Sequence, residues 1–222
     1  MPVIYINGST DKRIIDALSQ EGEVVLLSPM NGLPSGLSSH ADMLIAASDE
    51  KAFCYAGYLL RGDFIRVHDI PYEKYPRDVY LNCTFIGDSL IVNPDTVSKA
   101  VIEYAETQGF RVIPVKQGYA GCAVCKVSES ALITADIGIS RAAGGAFDVL
   151  TIEAGGISLS GYDVGFIGGA SATVNDKVFF FGDLSRHRDG KRIKAFIESH
   201  GKKCISFSDF PLTDFGGARV VY

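Results

Sequence analysis

Short apolar runs separated by polar turns recur in the same order about every forty residues along this chain, a period that specifies an architecture before any single residue specifies a chemistry. Each unit reads as a polar stretch, an apolar hairpin, a helical segment, a hydrophobic strand and a loop marked by Gly or Pro. In the clearest unit, Asn82-Cys83-Thr84-Phe85-Ile86 turns at Gly87-Asp88-Ser89 and returns through Leu90-Ile91-Val92. A helix is predicted over Asp95–Thr107, opened by Pro94 and stopped by Gly109, followed by a strand at Arg111–Val115.

Three further units keep that order. One runs from His40-Ala41-Asp42-Met43-Leu44, through a weak helical stretch around Phe53–Leu60, to Phe64–Val67. Another pairs Cys125-Lys126-Val127 with Leu132-Ile133-Thr134 across Ser128-Glu129-Ser130, then predicts a helix near Ser140–Ala146 and a strand at Asp148–Ile152. The next pairs Thr173-Val174 with Val178–Phe181 across Asn175-Asp176-Lys177, then predicts a basic helix over Arg188–His200 and a strand at Cys204–Phe207. A fifth unit exists only if the chain ends meet. Ala218-Arg219-Val220-Val221 would pair with Val3-Ile4-Tyr5, after which Asn7–Thr10 caps a helix over Asp11–Gln20 and Glu23–Leu27 completes the unit. Residues 1–222 are therefore expected to form one α/β domain: a five-bladed pseudo-symmetric propeller whose last blade is closed by the N- and C-terminal strands, leaving no open sheet edge.

At 222 residues and 47% apolar content, the chain can bury a core without disulfides or metals. A net charge of -5 argues against nucleic acid as the main partner. The basic stretch Arg186, His187, Arg188, Lys191, Arg192 and Lys194, near Lys202 and Lys203, reads as the solvated face of one helix. No apolar run reaches membrane-spanning length and no signal-peptide pattern opens the chain, so a cytoplasmic protein is expected. Five cysteines, Cys54, Cys83, Cys122, Cys125 and Cys204, then read as free thiols. Cys122-Ala123-Val124-Cys125 supplies only half a zinc site and leads into a strand, where period two would put the two sulfurs on opposite faces; no metal or other cofactor is expected. Asp214-Phe215-Gly216 lacks the companion motifs of a kinase, and Gly155-Gly156 and Gly168-Gly169 make no dinucleotide fingerprint.

Equivalent positions of a ring converge on its axis, so the polar residues just before each hairpin are the candidate site. They are His40, Asn82, the neighbourhood of Cys122, Ala170-Ser171, and Ala218-Arg219, joined by Asp42, on the same predicted strand face as His40, and by Arg77-Asp78. The long segment Glu153–Gly169 is expected to cover one mouth of the channel.

Tyr75-Pro76-Arg77-Asp78, followed by Asn82, Ile86-Gly87 and Ile91-Val92-Asn93-Pro94, resembles the Arg-Asp segment of the guanidino-group-modifying enzymes, the pentein superfamily, and Asp214-Phe215-Gly216-Gly217-Ala218-Arg219-Val220 resembles the Gly-Gly stretch before their nucleophile. That superfamily includes arginine deiminases, dimethylargininases and amidinotransferases, and the resemblance implies a five-bladed α/β propeller with its site in the central channel. It also implies that Asp78 binds a guanidinium. The nucleophilic cysteine of the superfamily falls at Val220, its His-x-Asp pair near Gly169-Ala170-Ser171, and a further acid near Ala120-Gly121-Cys122, so the usual deimination machinery is missing from its usual places.

Three functions follow as alternatives. The first is a channel that binds a small guanidino or amino-acid-like ligand through His40, Asp42, Arg77, Asp78, Asn82 and Arg219. The second is an enzyme acting on a C–N bond with residues relocated between blades, using His40-Ala41-Asp42 with Cys122 or Cys83 as the thiol. The third is a non-catalytic ring that binds a protein or ribosomal partner, as one pentein translation factor does.

Overall fold

The computed structural model describes residues 1–222. In chain order its elements are β1 (Val3–Asn7), α1 (Lys12–Leu18), β2 (Glu23–Leu27), α2 (Ala41–Leu44), β3 (Ile45–Ala47), β4 (Ala52–Tyr55), β5 (Phe64–Val67), β6 (Thr84–Ile86), β7 (Ser89–Val92), α3 (Lys99–Thr107) and β8 (Arg111–Pro114). There follow α4 (Ala120–Ala123), β9 (Val124–Ser128), β10 (Ala131–Thr134), α5 (Ile137–Ala143), β11 (Asp148–Thr151), β12 (Ser171–Val174), β13 (Lys177–Phe180), a 3-10 turn (Leu184–Arg186), α6 (Gly190–Ser199), β14 (Lys203–Ile205) and β15 (Ala218–Val221).

These strands make five three-stranded sheets of one plan, and this is the five-bladed α/β propeller that the repeat predicts. In each blade an inner strand pairs antiparallel with a middle strand, which pairs parallel with an outer strand: β3-β4-β5, β6-β7-β8, β9-β10-β11, β12-β13-β14 and β15-β1-β2. A hairpin suffices for the antiparallel step, whereas the parallel step needs a crossover, which α1, α3, α5 and α6 supply. The fifth blade joins the two chain ends, with Ile4 opposite Val220 and Ile6 opposite Ala218. Around the axis each inner strand touches the next, closing the circuit β3, β6, β9, β12, β15 and back to β3.

Apolar side chains fill the wedges between neighbouring blades. Phe53 of β4 stacks on Phe85 of β6 at 6.4 Å, and Tyr104 of α3 meets Phe53 edge-on at 5.2 Å. Ile4, Ile6, Ile14 and Leu18 of the closing blade pack with Phe179 and Phe181 from the blade before. Deleting a fully buried ring such as Phe53 costs about 3–5 kcal/mol in such settings, because the rigid walls leave a cavity.

The structure corrects the predicted elements in five places. No helix forms around Phe53–Leu60. Ala52–Tyr55 is the middle strand β4, buried at all four residues, and continuous burial erases the alternation that marks a strand. Pro94 does not open α3, because Asn93 Oδ1 accepts the Asp95 amide and holds a turn, so the helix waits for Ser98. Asp11, rather than Asn7–Thr10, caps α1 by accepting from the Arg13 amide. His40 and Asp42 do not share a strand face, since they open the single turn α2, where the Met43 and Leu44 amides both donate to His40 O at 3.1 Å. Cys122 likewise lies in the single turn α4 and not in a strand.

Candidate functional site at the sealed end of the axis

Just before each inner strand the chain makes a sharp turn, and these five turns are tied to one another in a closed circuit of hydrogen bonds. Asn82 Nδ2 donates to Asp42 O at 3.1 Å, while Asn82 Oδ1 accepts from the amides of Gly121 at 2.7 Å and Cys122 at 3.2 Å. Cys122 O accepts from Gly169 N at 3.0 Å, and Gly169 O from Phe215 N at 3.1 Å and Gly217 N at 2.6 Å. The circuit closes where Asp42 N donates to Gly216 O at 3.1 Å. Every blade contributes one station, so the repeat itself brings these positions together.

Above that circuit sits a buried acidic cluster. His40, Asp42, Asp78, Asn82, Asp214 and Cys122 are each no more than 5% exposed, and Asp42 is fully buried. His40 Nδ1 lies 3.9 Å from Asp42 Oδ1 and 3.8 Å from Asp214 Oδ1. Gly216 makes this approach geometrically feasible: its φ is +85°, and a β-carbon there would collide with the His40 side chain. Asp214 Oδ1 accepts from Gly216 N and Oδ2 from Phe166 N, both at 2.9 Å. Tyr119 OH donates to Asp78 Oδ2 at 2.5 Å. Apart from the Cys122 thiol beside Asp42, no donor reaches either carboxylate oxygen of Asp42, or Oδ1 of Asp78.

The electrostatics follow from this crowding. Burial, then repulsion from Asp42, pushes the Asp214 carboxyl up to about 7, although the two amides that bond it pull the other way. Burial lowers the His40 imidazole below its ordinary value and Asp42 opposes this, so the ring is held toward its neutral form. The Cys122 thiol is driven well above its ordinary value by burial, by the charges of Asp42 and Asp214, and by its own hydrogen bond to Asp42; only Asn82, whose Nδ2 lies 3.0 Å from Sγ, favours the thiolate. Ligand atoms of His40, Asp42 and Asp214 lie within 4.8 Å of one another, so this set could also hold a metal ion.

Of the residues expected at the site, His40, Asp42, Asp78, Asn82 and Cys122 are here, and three are elsewhere. Arg77 points outward, with its guanidinium over the Tyr72 ring at 5.7 Å, because the turn that buries Asp78 turns its neighbour to the surface. Arg219 and Cys83 border a separate 370 Å³ cavity at the opposite end of the axis; the Cys83 thiol is pushed up to about 12 by burial, and the charge that moderates it is Arg219. Cys125 packs in a different apolar cluster from Cys122, so the C-x-x-C spacing brings no pair together. Sequence reasoning missed Asp214 and Tyr119. Asp214 lies at the corresponding turn of the closing blade, four residues before β15, and comparison with Asp42, three residues before β3, was the signal that could have found it.

Part of Glu153–Gly169 lies over the acidic cluster. Phe166 stacks on Tyr119 at 6.2 Å while its amide holds Asp214, and Ser160 and Tyr162 press against Gly36. The basic stretch is charge-paired: Arg186 with Asp183, Arg188 with Glu153, Arg192 with Asp189, and Lys194 with Glu198. No helix is long and apolar enough to cross a membrane.

A five-bladed α/β propeller with polar residues gathered on its axis is the class these observations define. Over residues 5–218 the chain matches the family described as a family of unknown function, DUF6873, and it belongs to that family. No curated protein matches its sequence. Among solved structures it is similar to dimethylarginine dimethylaminohydrolase in its adduct with 4-chloro-2-hydroxymethylpyridine, at 13% identity and a TM-score of 0.59 over 93% of this chain and 92% of that one. A histidine-to-glycine variant of that enzyme, as the adduct with S-methyl-L-thiocitrulline, gives 12% identity and a TM-score of 0.58 over 93% and 92%. A cysteine-to-serine variant from Pseudomonas aeruginosa, complexed with citrulline, gives 12% and 0.57 over 93% and 91%. The fold is therefore that of the pentein superfamily.

Proposed function

We propose that the sealed end of the axis binds a small ligand carrying a guanidinium or amidinium group, held by Asp42, Asp78 and Asp214, with Glu153–Gly169 moving aside to admit it. The carrying observation is the three carboxylate oxygens, both of Asp42 and one of Asp78, buried with no N–H or O–H donor. A buried carboxylate lacking partners is strongly disfavoured, and a guanidinium brings five N–H donors in one plane together with the compensating charge. In the empty protein the proton on Asp214 reduces the repulsion, and a cationic ligand would displace it. The likeness to an enzyme crystallised with citrulline supports a ligand of amino-acid size. The same proposal places the protein in the cytoplasm, where thiols stay reduced.

One observation favours chemistry as a second reading. Cys122 lies against the same carboxylates that would bind the ligand. A bound cation would cancel the field of Asp42 and Asp214 and so lower the thiol pKa. The thiolate would then attack the guanidinium carbon, with neutral His40 receiving the thiol proton and returning it to the departing amine. Water would cleave the resulting thiouronium to a ureido product and restore the thiol. A protein-binding ring has less support, since the ion pairs of the basic stretch leave little free positive charge.

The test is incubation of wild type and Cys122→Ser with arginine, agmatine and N-methylated arginines, followed by intact mass and ureido-product assay. Binding without product supports a receptor site. A wild-type thiouronium mass absent from Cys122→Ser supports turnover, and absence of binding removes both readings.

A further inference from the structure

The opposite end of the axis is open and carries different chemistry. Its 370 Å³ cavity falls within the range of small-molecule sites and is walled by the inner strands of all five blades. Arg219 projects from β15 into this wall, where Nε donates to Ile45 O at 3.2 Å and Nη1 to Ala218 O at 3.3 Å. Those two bonds anchor the guanidinium, and they leave Nη2 buried with no acceptor in the protein. Gly121 permits the placement, because a β-carbon there would lie 2.8 Å from Nη2. A pinned guanidinium edge with unused N–H groups requires an oxygen acceptor, and the fold supplies none.

The rest of the lining favours an anion. Lys126 and Lys202 stand on the wall with Arg219, against the two acids Asp49 and Glu129. Asp49 already faces Lys126 at 3.4 Å, and Lys202 Nζ donates to Asn175 O. Between the cations the wall is apolar at Val124, Ala172 and Val220. This pattern suits a short organic body with an oxyanion at its deep end and polar groups at its rim.

We propose that this cavity is a second binding site, for a small oxyanion such as an organic carboxylate, which draws the buried Arg219 Nη2 toward the cavity to accept from it and whose outer end is met by Lys126 and Lys202. It stands independently of the guanidinium site, from which the circuit of Asn82, Cys122, Gly169, Gly216 and Asp42 separates it. The difference is a division of charge: the closed end lacks donors and the open end lacks an acceptor.

The test is amide and arginine side-chain NMR of the full chain, titrated with succinate, with inorganic phosphate, and with neutral succinamide at constant ionic strength. Saturable shifts at Arg219, Gly121 and Val220 are expected with succinate or phosphate and not with succinamide; the stronger anion identifies carboxylate or phosphate as the source. Arg219→Gln should weaken binding about tenfold or more, the effect of losing one charged hydrogen bond. Lys126→Glu changes only a side chain at the rim and keeps the backbone pairing of β9 with Leu132, so it should weaken binding several-fold while the protein stays folded, and it serves if Arg219→Gln does not fold. No saturable shift with either anion, equal binding of succinamide, or unchanged affinity in Lys126→Glu would overturn the proposal. Lys126 and Val220 line this cavity and take no part in the circuit that holds His40 and Asp42, so failure here leaves the guanidinium site untouched.

Discussion

The two ends of the propeller axis are built from the same five turns and strands, yet one is sealed and acidic and the other open and lined by cations. At the sealed end, Asp42 and Asp78 hold oxygens without N–H or O–H donors, and the chain packs Phe166 and Tyr119 over them. At the open end, Arg219 holds an N–H edge without an acceptor beside a 370 Å³ cavity. A ring fold makes both from one plan: residues before each inner strand gather at one end, and those along the strands line the passage to the other. Which charge each end carries is then decided by single side chains, not by architecture.

Breaking the ring should destroy both ends together. Deleting residues 219–222 removes most of β15 and opens the pairing with β1, so a loss of more than about 4 kcal/mol, or failure to fold, is expected in denaturant melts. A deletion mutant as stable as full length would contradict closure by the terminal strands. Damage confined to the sealed end should be smaller. Gly216→Ala places a β-carbon against His40 at a left-handed φ and should destabilise by about 2–4 kcal/mol, measured as a shift in urea midpoint at unchanged slope.

Removing a charge separates function from stability. Asp42→Asn deletes a carboxylate that no N–H or O–H group reaches, so the unliganded protein should be as stable as wild type or more so, while guanidinium affinity falls about tenfold or more. Titration calorimetry with agmatine checks the second half and a thermal melt the first. Loss of stability without loss of affinity would mean that Asp42 is structural.

The smallest expected effect is on pH dependence. Asp214 holds its proton more tightly folded, at about 7, than in the unfolded chain, so its contribution makes stability fall as pH rises from about 4 toward 7. His40, with a lowered folded value, acts the other way: the unfolded chain binds the extra proton, so its contribution to stability rises as pH climbs toward the ordinary histidine value. A cationic ligand must displace the Asp214 proton, so its affinity should rise by up to tenfold per pH unit and level off above about pH 7. Asp214→Asn should abolish that slope, and an unaltered slope would place the titrating group elsewhere.

The blades were legible where turn chemistry was explicit. Gly87-Asp88-Ser89 and Asn175-Asp176-Lys177 mark hairpins that the structure places between β6 and β7 and between β12 and β13. Blade one was misread because Ala52–Tyr55 is buried at every residue, which removes the alternation a strand normally displays. At the site, His40, Asn82 and Cys122 were found because they recur at the repeat period, whereas Asp42 was added from a strand face shared with His40 that the turn α2 does not provide. Asp214 was not, because it was weighed only as part of a Gly-Gly stretch, and Tyr119 was not, because nothing local signals that its hydroxyl reaches Asp78, forty-one residues away. Arg219 was included because it recurs at the repeat period and Arg77 because it adjoins Asp78, but position does not fix direction: orientation sent Arg77 to solvent and Arg219 to the far end of the axis.

The central claim is that the sealed end is a guanidinium site, and the most direct measurement is a thermal-shift series on wild type and Asp42→Asn with arginine, agmatine, citrulline and plain amino acids. A ligand selective for the folded state, at about one hundred times its dissociation constant, adds about 2.7 kcal/mol of stability. The expected result is a shift with arginine or agmatine that citrulline does not match and that Asp42→Asn abolishes. A flat series, or a shift that survives in Asp42→Asn, would contradict it.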